Sequence, residues 1–311
     1  MTNEEKLRWQ KEICNIDKYH SLGYTGAGIT VLCHEDNEHG RRAMEILKMV
    51  APDVSIIYAS VKEKSKGGKL IQYDWSIDGK TYSFEQVMTI FKPDIISCSL
   101  RDSTKLADRD AKVKPYVDSG DLIIVTSAGN EGSSGGAQTR YDCGLTIGAC
   151  LLFNGKKDDI RIASFSGRTP NELEVDYVGF MGDWNGTSAA TPFVAGQIAL
   201  FMSRFGKVSQ KEFQRLIKPY CKDLGDKGKD WAYGDGLIVL PDDNIMEETD
   251  MFKDVDTFRW SYNDIEWAAN IGIVNGYEDG TFRPTESVTR EQICALLRRL
   301  YNLISKEDNN V

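Results

Sequence analysis

The sequence lacks a Cys-x-x-Cys pair, a long apolar run, an excess of basic residues and any EF-hand-like spacing of Asp. Its seven cysteines (Cys14, Cys33, Cys98, Cys143, Cys150, Cys221 and Cys294) are odd in number and scattered. That pattern fits free thiols in a reducing compartment better than a disulfide framework, and it offers no paired-cysteine metal site. No run of about eighteen apolar residues is present to cross a bilayer, so a membrane partner is excluded. The N-terminal MTNEEKLRWQKEIC carries charges where a signal peptide has its apolar segment, so a cytoplasmic location is expected. A net charge of -9 argues against nucleic acid, whose phosphates need clustered Lys and Arg. With no calcium-loop pattern, no metal or other cofactor is expected, and structural calcium is not indicated.

What is present is ordinary for a folded soluble chain: 41% hydrophobic and 27% charged residues over 311 positions. That length suits one large domain and a smaller module. After the Gly-rich GYTGAG, ITVLCH (29–34) reads as a strand, and Ala43, Ile46, Leu47 and Val50 fall at helical spacing. The alternation continues with VSIIYASV (54–61), a helix near 84–91, DIISCSL (94–100), a polar helical segment around 103–119 and DLIIVTSA (121–128). Strands alternating with helices predict a parallel sheet covered on both faces, with ligands at the carboxyl ends of its strands. The texture changes after PDDNIMEETD. The predicted division is a domain over 1–240, an acidic linker over 241–250 and a short, aromatic, mainly helical unit over 251–311.

Three stretches carry chemistry. In NGTSAATPFVAGQIALF (185–201), Ser188 falls at a predicted helix start, with Pro192 expected in the first turn. A helix N-terminus favours negative charge, which suits a nucleophile whose attack creates an oxyanion; a serine cap on a core helix fits the stretch equally well. In TSAGNEG (126–132), Asn130 follows a strand and is either a turn residue or an amide donor to developing charge. In HEDNEHG (34–40), His39 lies within four residues of Glu35 and Asp36, giving either a solvated surface group or a general base with its orienting acid.

The chain order acid, His, Asn, Ser resembles that of the subtilisin-like serine peptidases, the subtilases of family S8. GTSAATPFVAG is similar to that family's nucleophile signature, SAGNEG to its oxyanion segment, and HGRRAMEILKMVAPDVSIIYASV to its histidine helix and following strand. GYTGAGITVL, GLTIGAC with IASFSGR, and DLGDKGKDWAYGDGLI extend the resemblance over residues 17–240. It implies an α/β fold, three-layered αβα around a parallel central sheet, and a serine endopeptidase acting on peptide or protein substrates. Ser188 would attack the scissile carbonyl, His39 would take the proton, and Asn130 with the Ser188 N–H would hold the oxyanion. Ser99, Leu100, Arg101, Ala128 and Gly129 would line the substrate site. Counting along the strand puts the family's Asp on Glu35, with Asp36 one residue later; Asp36 is slightly preferred, at the cost of a bulge, with Glu35 as the alternative acid.

The acid-to-His connection is short for the family, and Arg101 and Asp102 stand where the family has glycines. These departures imply either unusual specificity or a pseudoprotease that keeps the fold for binding. With the first strand beginning near Ile29, the resemblance leads to the expectation of no propeptide, as in intracellular subtilases. Residues 252–302 resemble one S-layer homology (SLH) motif, which implies binding to cell-wall polysaccharide. The positions carried over are Trp260, Asp264, Gly276, Asp279, Gly280, Thr281, Phe282, Arg283, Pro284 and Arg290, and Trp260, Asp279, Gly280 and Arg283 are the wall-binding candidates. A wall-binding motif on a chain without an export signal is reconciled if the protein reaches the surface by lysis.

Overall fold

The computed structural model describes residues 2–66, 69–100, 107–242, 252–255, 259 and 261–307. The chain forms two units, Met1–Asp242 and Asp243–Val311. Residues 243–251, which hold most of the expected acidic linker, lie outside the described residues, as do Arg101, Asp102 and Trp260.

The first unit opens with helices α1 (Asn3–Ile13) and α2 (Ile16–Ser21). There follow β1 (Thr30–Cys33), α3 (Glu38–Val50), β2 (Ser55–Tyr58), β3 (Ser60–Lys66), β4 (Lys69–Ile77), β5 (Lys80–Tyr82), α4 (Phe84–Ile90), β6 (Ile95–Cys98), α5 (Ala107–Asp118) and β7 (Ile123–Ser127). The unit closes with β8 (Leu145–Leu152), β9 (Ile160–Ile162), β10 (Tyr177–Gly179), α6 (Thr187–Phe205), α7 (Gln210–Ile217), β11 (Cys221–Lys222) and β12 (Leu237–Ile238). The main sheet runs β11-β12-β10-β8-β7-β6-β1-β2. Its members from β12 to β2 are parallel, while β11 and β9 join β12 and β8 antiparallel. The central strands are short apolar runs buried along their length, as a sheet covered on both faces requires.

Alternation along the strands sorts the two faces. Leu32, Ile96 and Ile124 point into one cluster with Phe84 and Val87 of α4 and Val113 of α5. Helix α6 is buried on every side, at all of its 19 residues but Ser203 and Arg204, and it packs against β6, β7, β8 and α3. Close approach of α3 and α6 depends on Gly196, where a Cβ would come within 2.7 Å of Val50.

The expected strand over 54–61 divides into β2 and the start of a separate antiparallel sheet, β3-β4-β5. This sheet has one apolar face. Tyr73, Trp75 and Ile77 alternate inward along β4, and Trp75 is fully buried. Arg109 of α5, 1% exposed, fastens the sheet by donating to Glu63 of β3 at 2.7 Å, and Arg140 also pairs with Glu63. The alternation at Tyr73, Trp75 and Ile77 was a strand signal that went unread, while the mostly exposed, Lys-containing β3 and β5 carry little apolar pattern.

The second unit contains α8 (Tyr262–Asn270) and α9 (Arg290–Glu307) around a turn-rich segment, with Phe252, Val255, Tyr262 and Ile265 as a small core.

Candidate active site

Sheet alternation decides which carboxylate meets His39. His34 N–H donates to the Ser97 carbonyl, so the β1 register continues one residue past Cys33 without a bulge. Leu32 and His34 then face α4, α5 and the small sheet, while Cys33 and Glu35 face α3. Glu35, 5% exposed, accepts from His39 Nδ1 through both carboxylate oxygens, at 2.9 and 3.1 Å. Asp36 instead receives Arg41 at 2.6 Å on the exposed side of α3. The preference for Asp36 is thereby corrected: the bulge it needed is absent up to His34, and it is Glu35 that meets the histidine while Asp36 pairs with Arg41.

His39 is the second residue of α3, whose N-terminus Asn37 caps by accepting from Gly40 N–H at 2.8 Å. Gly40 is required here. A Cβ would lie 2.5 Å from the Glu35 carbonyl oxygen, so any side chain would push the histidine turn off the acid. The Glu35 hydrogen bond raises the His39 pKa above the ordinary imidazole value; partial burial opposes it, and the Glu35 charge adds to the rise. Cys33 lies under this corner with Sγ 3.2 Å from the Glu35 carbonyl, and burial pushes its thiol up to about 12, so it stays protonated.

Ser188 is the second residue of α6, 9% exposed. Pro192 lies one turn deeper than expected, and there it has a specific effect. Residue 192 would normally donate to the Ser188 carbonyl, and a proline cannot. The freed carbonyl accepts from Ser99 Oγ at 2.9 Å, while Ser188 Oγ donates to the Ser99 carbonyl at 3.2 Å. This reciprocal pair ties the Ser188 turn to the end of β6, and it was not legible from the serine segment by itself.

Asn130 follows β7 and is exposed. Its Oδ1 accepts from the Thr187 N–H at 3.0 Å and from Thr187 Oγ1 at 3.1 Å. The oxygen is thus fixed toward α6, and the amide NH2 becomes the outward donor. Gly129 holds φ at 87°, and its carbonyl accepts from Gly167 N–H and Thr187 Oγ1. Ala128 is fully buried, its N–H bonded to Ile147 and its carbonyl to Gln138. At Ala128 and Gly129 the backbone groups just named are thus already engaged within the protein. Leu100 is half-buried beside Ser127, whose Oγ reaches its carbonyl at 3.5 Å.

Two features beside this corner went unread in the sequence. Trp184, in the loop before α6, meets the His39 ring at 5.0 Å between centroids and 66° between planes. On the other face of β1, His34 lies over Trp75 at 4.6 Å, and its Nδ1 meets the Tyr141 hydroxyl at 3.0 Å. Burial, helped by Arg140 and Arg109, holds His34 well below the usual imidazole range, so it is neutral. The aromatic pattern of residues 73–75 was the available signal for this second layer. Among the described residues, no group of three or more His, Cys, Asp or Glu is placed to hold a metal ion.

In the second unit, Asp254 accepts from the backbone N–H groups of Phe282 and Arg283 at 2.6 and 2.7 Å. Asp279 accepts from Thr281 Oγ1 at 2.6 Å and from Arg283 at 3.1 Å. These bonds, led by the Thr281 hydroxyl, lower its pKa to about 2. Arg283, at φ 60°, lies 4.0 Å from the Tyr277 ring centroid. Gly280, at φ 80°, passes its carbonyl to Lys253 N–H. Beside this turn is a cavity of about 360 Å³ with Tyr277, Arg283, Glu286, Gln292 and Arg299 in its lining.

Comparison with known proteins places the fold. Residues 23–236 match the subtilase family, and residues 252–294 match the S-layer homology domain. The chain is 31% identical over 204 residues to subtilisin E of Bacillus subtilis (strain 168), an alignment that covers 61% of this chain and 49% of that protein. It is 30% identical over 240 residues to an intracellular serine protease of Paenibacillus polymyxa, covering 70% of this chain and 67% of the relative. Among solved structures, MycP1 with its N-terminal propeptide removed superposes with a TM-score of 0.53 at 18% identity, covering 74% of this chain and 94% of that one. A lanthipeptide protease gives 0.52 at 16% identity, covering 75% and 92%. The parallel sheet, the buried α6 and the family match over 23–236 together show that the chain belongs to the subtilase family, peptidase family S8, and carries an S-layer homology domain after it.

Proposed function

We propose that the first unit is a serine endopeptidase that cleaves peptide bonds through an acyl-enzyme, with Ser188 as nucleophile, His39 as general base, Glu35 as orienting acid and Asn130 as oxyanion donor. The observation that carries this reading is the Glu35–His39 hydrogen bond at the start of α3, a helix that packs against α6, which opens with Thr187 and Ser188. In the reaction, the Ser188 hydroxyl leaves the Ser99 carbonyl and transfers its proton to His39 Nε2 as Oγ attacks the substrate carbonyl. Glu35 keeps the other ring nitrogen protonated and stabilises the imidazolium. The new oxyanion is met by the Asn130 amide and the Ser188 N–H, at the positive end of α6. His39 then protonates the leaving amine, and water hydrolyses the ester by the same route reversed.

Hydrolysis of a mixed peptide library, followed by mass spectrometry with Ser188→Ala as control, tests the activity. Fragments from the native protein and none from the variant are expected. Intact, folded native protein that cleaves nothing and takes no fluorophosphonate would favour a binding protein built on this fold.

The second unit supports a role of its own: binding to secondary cell-wall polysaccharide, which would place the protein at the cell surface. The cavity beside Arg283, with Tyr277 as a flat wall and Arg299 as a second cation, suits an anionic saccharide. Sedimentation with purified wall polysaccharide, lost when residues 251–311 are removed, is the expected result.

A further inference from the structure

Resting on that peptidase reading, we propose that Trp184 is a positioning residue for His39: a spacer between the histidine helix and the serine loop, braced by Arg42. In this structure the Ser188 hydroxyl is engaged by Ser99, so its bond does not set the place of the imidazole. Glu35 holds Nδ1 alone, and a ring fixed at one atom can still swing about it. The second restraint is Trp184, whose ring lies tilted against the imidazole, 5.0 Å away. Trp184 is itself restrained on two sides. Arg42, three residues beyond His39 on the same helix, puts its guanidinium carbon 5.1 Å from the indole centroid. The backbone N–H of Trp184 donates to the Met181 carbonyl at 3.1 Å, closing a tight turn between Gly182, at φ 60°, and Gly186, at φ 106°.

The indole thereby touches two residues of α3 and sits four positions before Ser188. It spans the two elements whose separation fixes the nucleophile-to-base distance. Alignment of this kind is worth a great deal, since a displacement of about 1 Å can cost about 10²-fold in rate. Trp184 also shields the half-exposed imidazole from water, which disfavours its charged form. The charged groups within four residues of His39 or Trp184 are Glu35, Asp36, Glu38, Arg41, Arg42 and Asp183, with Asp36 bound to Arg41, and α3 carries Glu45 and Lys48 farther along.

The test compares native protein with Trp184→Ala, Trp184→Phe and Arg42→Gln, using two readouts. The first is the NMR titration midpoint of the His39 ring proton, distinguishable among three histidines. The second is the rate of phosphonylation by a fluorophosphonate, in which Ser188 Oγ bonds to phosphorus, fluoride leaves and the hydroxyl proton passes to His39. Trp184→Ala is expected to raise the midpoint, because shielding is lost, and to slow labelling about 10²-fold. Trp184→Phe is expected to restore most of both, and Arg42→Gln to shift the midpoint the same way by less. A folded Trp184→Ala protein with an unchanged midpoint overturns the proposal, even if labelling slows. If Trp184→Ala does not fold, an unchanged midpoint in Arg42→Gln overturns it. A shifted midpoint with no labelling of any form, native included, supports the positioning role and sinks the peptidase reading instead.

Discussion

The central assignment turns on single residues. Glu35 and Asp36 are adjacent carboxylates, and only the first reaches His39. Glu35→Gln is therefore expected to lower the turnover number about 10⁴-fold, while Asp36→Asn leaves it within about twofold, measured by initial rates on one peptide substrate. The pH dependence follows from the same bond. General-base catalysis needs neutral His39, and Glu35 raises its pKa. The acid limb of the rate profile is thus expected above the ordinary imidazole value in the native protein and at lower pH in Glu35→Gln. Asn130→Ala is expected to cost about 10² to 10³ in turnover number with little change in KM, since in the proposed reaction the amide would meet the oxyanion rather than bound substrate.

At the scale of elements, much of the site was legible because it depends on local sequence. The Gly–Thr–Ser start of α6, the Gly–Asn end of β7 and the His39 corner each announce their backbone geometry within a few residues. The choice between Glu35 and Asp36 was not, because it depends on whether the β1 register continues past Cys33, which the hydrogen bond that His34 N–H donates to Ser97 of the neighbouring strand decides. Pro192 was read as a tolerated first-turn proline. Ser99, which meets the Ser188 carbonyl that Pro192 leaves free, is 89 positions from Ser188 in sequence and could not be paired with it by inspection. The sheet of β3, β4 and β5 was missed because the mostly exposed β3 and β5 carry little apolar pattern and the alternation along β4 went unread. Its attachment is strong all the same. Trp75→Ala is expected to destabilise the first unit by about 3 to 5 kcal/mol in denaturant unfolding. Glu63→Gln, which leaves the Arg109 and Arg140 cations facing each other without their shared carboxylate, is expected to cost a comparable amount.

The whole molecule joins two units with separate cores. Its alignment with subtilisin E spans 49% of that protein's length, so substrates cannot be transferred from the relative and have to be measured on this chain. The account's central claim, that Ser188 is a nucleophile activated by His39 under Glu35, is tested most directly by intact mass after incubation with a fluorophosphonate. The account predicts one adduct on the native protein, none on Ser188→Ala, and adduct formation that is much slower in Glu35→Gln but unchanged in Asp36→Asn. No adduct on folded native protein, or slowing in Asp36→Asn alone, would contradict it.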